Sequence, residues 1–446
     1  MFRLLILTLL LLPVALAAQE SRKLTVEDAV RLGLENSKSL GIAEKKIDGA
    51  SAKSGEAFAQ RLPSLKLSAA YTRLSDVPAG KFTIPADAFG AGFPPAPVTS
   101  TISPAILNSY GLKATIQQPV FTGFRLENNQ KMAQLSETAA RLDFEGDKND
   151  FVYEVRSAYW NLFRAIEVKK VVDENIDQVK AHLKDAQNLL AQGLITNNDV
   201  LKVQVQLSNV ELLGIDARNA VQLARMYLNN LMGLPLDAPV EPVSLLTVPV
   251  ENTDPVDVFT KKAMDQRPDL KALQARYEVA GTAVKLAKGS NYPQVMAMGN
   301  YYYNRPNQRF FPTKDAFKGT WDIGLQVSFD VWNWGQTKYQ THQATAQADQ
   351  VKYAKGLLED AIRLEINRDY LAEQQAREKI VVAKETIRQA EESYRITSEK
   401  FRRGVALTTD LLDAEVAVLQ AKTNHTQALV DYVLAKARLQ KAVGEQ

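Results

Sequence analysis

The chain contains no cysteine among its 446 residues. Disulfide staples, thiol chemistry and Cys-based metal sites are excluded, and so is a lipid anchor on an N-terminal cysteine. Histidine is nearly absent too. His182, His342 and His425 are isolated, with no second ligand at metal spacing, and read as solvated helix residues. No metal or cofactor is expected. The net charge is only +3 with 24% charged residues, a balance that gives no support to a nucleic-acid partner. There is no Gly-rich phosphate loop and no nucleophile motif, so no catalytic residue is nominated. Long apolar runs are missing with one exception. Leu4 to Leu16 follows the positive Met1-Phe2-Arg3 and ends in the small-x-small pattern Ala15-Leu16-Ala17. That is a signal peptide over 1–17, with a mature chain starting near Ala18. No other run of about 18 apolar residues exists, so no helical membrane span is expected in the mature chain.

Proline is absent, and glycine almost so, from two long stretches of equal length, Arg125–Gln192 and Gln336–Arg403. In the first, Phe151, Val155, Ala158, Leu162 and Ala165 lead to Val172, Ile176, Val179, Leu183, Ala186 and Leu190. The steps alternate four and three, skipping one seam position at Lys169. This is a heptad seam, so the helix is built to lie against other helices. At 1.5 Å per residue each stretch would be roughly 100 Å long, about three times a bilayer core.

Two structural repeats are expected around these helices. The first spans 18–235: helix 25–61, strand 64–73, an exposed Pro/Gly-rich loop 77–105, strand 112–120, helix 125–192 and helix 197–232. The aperiodic stretch 236–254 reads as a linker. The second repeat spans 255–446: helix 255–290, strand 293–303, a short loop, strand 323–331, helix 336–403 and helix 408–443. Val26, Leu40, Ala50, Pro63 and Tyr71 recur at one fixed offset as Val256, Leu270, Ala280, Pro293 and Tyr301. Val120, Tyr159, Gly193, Asp199 and Gly233 recur at a second, smaller fixed offset as Val331, Tyr370, Gly404, Asp410 and Gly444. The change of offset falls between the paired strands, so the second loop is the shorter one.

The strands alternate. Leu65, Leu67, Ala69 and Tyr71 oppose Ser64, Lys66, Ser68 and Thr72, and Leu112, Ala114 and Ile116 oppose Lys113, Thr115 and Gln117, with Gln118 an outlier on the apolar face. Such strands suit a bilayer-spanning barrel. Four cannot close one, and lipid does not tolerate an open edge, so copies must assemble. Two copies give eight strands and three give twelve; the larger number leaves an aqueous lumen. The competing reading is a soluble periplasmic coiled-coil scaffold with two small hairpins.

At this point the chain resembles the TolC-type outer-membrane efflux proteins, the outer membrane factors. The likeness is carried by Val26-Glu27-Asp28-Ala29-Val30, by Pro119-Val120-Phe121-Thr122-Gly123 at the strand–helix junction, by Gly193-Leu194 to Asp199 and by Gly404 to Asp413. It implies a mixed α and β membrane protein. Four strands per chain would enter a homotrimeric, twelve-stranded barrel in outer-membrane lipid, continuous with a long periplasmic helical barrel. It implies a passive exit duct for small molecules or proteins, in tripartite efflux or type I secretion. The partners implied are a periplasmic adaptor and an inner-membrane pump of RND or ABC type, with no catalysis in this chain.

The resemblance also implies sites. Asp410 and Asp413 match acids that line the closed periplasmic aperture; three apart, they share a helix face. Asp410 also suits the first turn of a helix, where acids are favoured, and Asp199 holds the same place in the first repeat. In some family members a tyrosine and an arginine bind an aspartate matching Asp199. Here those positions are Phe401 and Ala406, and Arg402 or Arg403 stands nearby as a substitute. Gly193, Leu194, Thr196, Gly404, Val405, Leu407 and Thr408 resemble the family's adaptor-contact tips. The transported substrate is not readable from the sequence.

Overall fold

The computed structural model describes residues 22–244, 246 and 254–445; the expected signal peptide lies outside them. The element order is β1 (Arg22–Leu24), α1 (Val26–Asn36), α2 (Lys38–Ala59), β2 (Ser64–Arg73), β3 (Gly80–Ile84), β4 (Val98–Ser103), β5 (Asn108–Phe121), α3 (Arg125–Ala191) and α4 (Asn197–Leu231). Then follow β6 (Val240–Pro242), α5 (Val256–Gln266), α6 (Pro268–Lys288), β7 (Gln294–Arg305), β8 (Lys318–Ser328), α7 (Gln336–Arg402) and α8 (Thr408–Val443). The chain divides into two compact units. One is built from residues up to Glu44, Asp143–Leu270 and residues from Leu357 on; the other from Lys45–Leu142 and Lys271–Gly356.

The second unit holds an antiparallel four-stranded sheet in the order β2-β5-β7-β8. Register aligns the alternation across every strand. Leu65, Ile116, Gly299 and Ile323 form one row, and Leu67, Ala114, Tyr301 and Trp321 the next on that face. Leu67, Ile323, Leu325 and Trp321 stay exposed on it. The opposite face carries the row Lys66, Thr115, Asn300 and Asp322. There Thr115 donates to Asn300 at 2.9 Å and Asn300 donates to Asp322 at 2.7 Å. Gln118, the polar outlier, uses its amide to donate to the Arg61 carbonyl at 2.9 Å. It thereby satisfies an acceptor freed where α2 has ended.

Several expected boundaries shift for local reasons. The single helix expected over 25–61 is two helices. Ser37 is extended, and its hydroxyl accepts the Leu40 N–H at 3.2 Å, so it starts a second helix. Likewise 255–290 is interrupted before Pro268, which has no N–H to donate, pushes Arg267 into an extended conformation and then suits the first position of α6. The strand expected over 323–331 is Lys318–Ser328, because Ser328 pairs with Gln294 and β7 begins there. The one over 112–120 begins earlier, at Asn108, where it still finds Arg73 opposite. The loop 77–105 contains the hairpin β3–β4, tied by a Thr83–Thr99 hydroxyl pair at 2.9 Å. The prolines between the two arms masked it.

At the strand–helix junctions the backbone turns left-handed twice in succession. Gly123 and Phe124 have φ of 65° and 62°; Trp334 and Gly335 have φ of 52° and 78°. One glycine in each pair relieves the steric cost at one of the two positions.

In the first unit the heptad seam of α3 is buried: Val155, Leu162 and Val179 are at 0% exposure. Tyr159 is buried beside them, and its hydroxyl donates to the Leu24 carbonyl at 2.9 Å and accepts the Ser244 N–H at 2.9 Å. That hydroxyl ties the end of β1 to the chain just past β6, beside the small parallel pair β1–β6. The stretch 236–254, expected as a plain linker, therefore contains a strand, and its remaining residues 245 and 247–253 lie outside the described residues.

Candidate functional site

The two turns between long helices lie within the first unit. α3 closes with Gly193 at φ 70° and α7 with Gly404 at φ 71°. Leu194 N–H bonds Leu189 O at 2.9 Å and Gly193 N–H bonds Leu190 O at 2.9 Å. In the other turn, Val405 N–H bonds Lys400 O at 2.9 Å and Gly404 N–H bonds Phe401 O at 2.8 Å. Both are Schellman closures, which need a residue that tolerates positive φ. Leu194, Val405 and Leu407 are exposed at the turns, three apolar side chains left in solvent.

The helices that leave the turns are capped by acids. Thr196 accepts the Asp199 N–H, and Asp199 accepts both the Thr196 N–H at 3.0 Å and its hydroxyl at 2.6 Å, a complete capping box. These Thr196 bonds, with Lys202 behind them, hold the Asp199 carboxyl below the usual carboxylate range. The cap's contribution is present above that range and is lost as pH falls through the lowered value. Asp199 thus serves α4, and among the described residues no tyrosine or arginine is bonded to it.

Asp410 is the counterpart on α8. Its carboxylate accepts the Leu407 N–H at 3.4 Å, half of the same box, since Leu407 has no hydroxyl to return the bond. Asp413 lies one turn further along, exposed like Asp410, while Leu411 between them is fully buried. The structure brings the two aspartates to one solvent-facing side of α8.

Several expected site residues have other positions. The Phe401 side chain is 1% exposed and packs in the apolar cluster with Leu189, Val200 and Leu411. It fills the interior of the packing behind the two turns and presents no polar group. Thr408 is buried, so only its neighbours belong to the exposed turn. Arg402 pairs with Asp185 of α3 at 3.6 Å, whereas Arg403 is exposed and turned to solvent.

The histidine reading is corrected for His182. It is 3% exposed, and its Nδ1 is bonded to Glu415 of α8, itself 0% exposed. Its Nε2 meets the Tyr394 hydroxyl of α7 at 3.1 Å. His425 is half-buried and His342 exposed. The signal for His182 was present but faint. Asn175, His182 and Leu189 are seven apart and form a second seam beside the apolar one, and all three are buried.

Comparison with known proteins agrees with this architecture. The family model described as "Outer membrane efflux protein" matches residues 29–234 and 260–445. The chain is 22% identical over 329 residues to the outer membrane efflux protein BepC of Brucella suis, covering 74% of this chain and 71% of that one. It is 26% identical over 357 residues to the alkaline protease secretion protein AprF of Pseudomonas aeruginosa, covering 76% and 70%. Among solved structures, the CmeC outer membrane channel of Campylobacter jejuni superposes with a TM-score of 0.77 at 17% identity, covering 94% of this chain and 85% of that one.

Proposed function

The chain belongs to the outer membrane efflux protein family and is an outer-membrane exit duct of an efflux or secretion system; on that premise we propose that it works as a homotrimer with a twelve-stranded barrel. The observation that carries this is the open sheet. β2 and β8 are its free edges, 10 and 11 residues long, and every neighbouring pair is antiparallel. An even number of alternating strands lets β8 of one copy meet β2 of the next antiparallel, so a ring closes without a change of pattern. An unpaired edge in hydrocarbon leaves every second backbone group without a partner. The exposed Leu65, Leu67, Ile323 and Leu325 then face lipid, and the Lys66–Asp322 row faces the lumen.

The helices support the same assembly. Leu357, Leu364 and Leu371 of α7 are seven apart and 72%, 73% and 62% exposed in the single chain. On α4, Val205 and Leu212 are likewise seven apart and exposed. Apolar heptad stripes of this kind are coiled-coil seams that await a neighbouring copy. Positive-φ glycines recur at one common offset, Gly193 with Gly404 and Gly233 with Gly444, which supports reading the chain as a duplication. Native mass spectrometry in detergent should give one trimeric species. Monomer alone would end this reading.

In the assembly the exposed turns meet a periplasmic adaptor, through which an inner-membrane pump delivers its cargo. Asp410 and Asp413 of three copies form two stacked carboxylate rings at the periplasmic constriction, which attract cations. Changing both, Asp410→Asn with Asp413→Asn, should lower the cation-over-anion permeability ratio in planar bilayers by about threefold or more, with conductance changed less. Unaltered selectivity and unaltered block by divalent cations would place both aspartates away from the aperture.

A further inference from the structure

We infer that Tyr394, His182 and Glu415 form a buried latch that holds the α7–α8 pair against α3 and keeps the duct closed at its helical tip. The inference rests on reading that tip as the closing end. The three groups form one row across three helices: Tyr394 on α7, His182 on α3, Glu415 on α8. A carboxylate only accepts, so His182 Nδ1 donates to it, and Tyr394 completes the row on Nε2. Gln178 of α3 and Ser398 of α7 also stand beside Tyr394, as do the charges of Glu415 and of Arg402, the latter paired with Asp185.

Two features make the row a latch rather than a rivet. First, it is incompletely satisfied. Glu415 Oε2 is buried with no hydrogen-bond partner among the described residues, and so is Oδ1 of Asn175, one heptad from His182 on the same seam. A buried carboxylate with an orphaned oxygen stabilises the packed state less than an apolar side chain of its size would. When the helices part, that oxygen regains water, so the paired row holds the closed state by a narrower margin than an apolar row would. Second, its placement is selective. Tyr394 packs against the apolar cluster that holds Val179, Ala186, Phe401 and Leu411, about two to three helical turns from the ends of the helices. That cluster resists parting without any partner to lose, while the polar row resists it only as long as its bonds are paired. The row thus sets a small gap between closed and open tips, in a chain whose Asp199 is bonded to Thr196 and Lys202 and not to the tyrosine and arginine that some family members use.

The test is the open fraction of the purified protein in planar bilayers, with current carried by potassium chloride. His182→Leu leaves Glu415 buried without its partner and should raise the open fraction about tenfold. Tyr394→Phe and Glu415→Gln keep side-chain shape and should raise it less, about two- to threefold. The double change His182→Leu with Glu415→Leu should return it to the wild-type level or below, because two apolar groups pack without needing water. Thermal stability of the oligomer should not follow this order, as it would if the row only set helix register. Asp410→Asn with Asp413→Asn serves as the reference. If that pair alters selectivity while every variant of the row keeps the wild-type open fraction, the latch is refuted and the tip reading stands. If neither set has any effect, both fail. Should His182→Leu not assemble, Glu415→Gln and Tyr394→Phe decide: wild-type open fractions in both overturn the latch.

Discussion

Replacing Gly123 by alanine is expected to remove assembled protein from the outer membrane, reducing the oligomer to a tenth or less of the wild-type amount, on the order of the largest single-residue effects. Gly123 stands at φ 65°, where an alanine costs about 1–2 kcal/mol. Space is the larger obstacle. A Cβ at this position would stand 2.2 Å from the Gly289 carbonyl oxygen and 3.0 Å from the Tyr292 side chain. The approach is mutual, since a Cβ on Gly289 would lie 2.6 Å from the Gly123 carbonyl oxygen. Backbone meets backbone here, and neither side has a flexible end to move. The junction joins β5 to α3 beside the end of α6, so a displaced Gly123 shifts the strand that pairs with both β2 and β7. Gly146→Ala, in the middle of α3 with open space around it, is the control and should be neutral or slightly stabilising. Heat-modifiable oligomer in outer-membrane fractions measures the difference. Equal amounts for Gly123→Ala and wild type would refute the argument.

That junction shows what the sequence disclosed and what it withheld. Pro119 to Gly123 is recognisable as a turn into a helix, because glycine and proline punctuate the chain wherever it changes period. The partner glycine at 289 is not, because a close approach between segments far apart along the chain leaves no local pattern. The long helices are legible almost to their ends, since a heptad seam is repeated many times over and Val155, Leu162 and Val179 each restate it. The break at Ser37 escapes notice for the opposite reason: a single hydroxyl capping Leu40 carries it. Pro268 is a plainer sign, as it forbids the residue before it from staying helical. At the tip, the turns and the two aspartates follow from spacing. The burial of Phe401, Thr408 and His182 does not, because it depends on which faces three separate helices present to one another. A lone histidine on a helix is most often solvated; here the heptad relation to Asn175 and Leu189 outweighs that expectation.

Gly404→Trp is expected to abolish export while assembly of the proposed trimer is unaffected. The turn sits at the end of α7 with φ 71°, and a Cβ there would meet nothing within 4 Å. Bulk at this position therefore disturbs no packing within the chain and projects outward, where Val405 and Leu407 already stand 75% and 68% exposed. The backbone cost is real, about 1–2 kcal/mol for a left-handed residue with a side chain. It is local, however, because the closure bonds Val405–Lys400 and Gly404–Phe401 run through main-chain atoms that tryptophan also has. Gly404→Ala bears nearly the same backbone cost with almost none of the volume. If the tip docks into an adaptor, alanine should retain most export and tryptophan should lose it by more than about tenfold, the scale at which a bulky side chain disrupts a packed interface. If backbone strain were the cause, both variants would fall together. The readouts are export by cells that depend on this duct, recovery of adaptor after crosslinking, and trimer by native mass spectrometry. Normal export by Gly404→Trp, with its trimer intact, would mean that the adaptor grips the duct elsewhere along its helices.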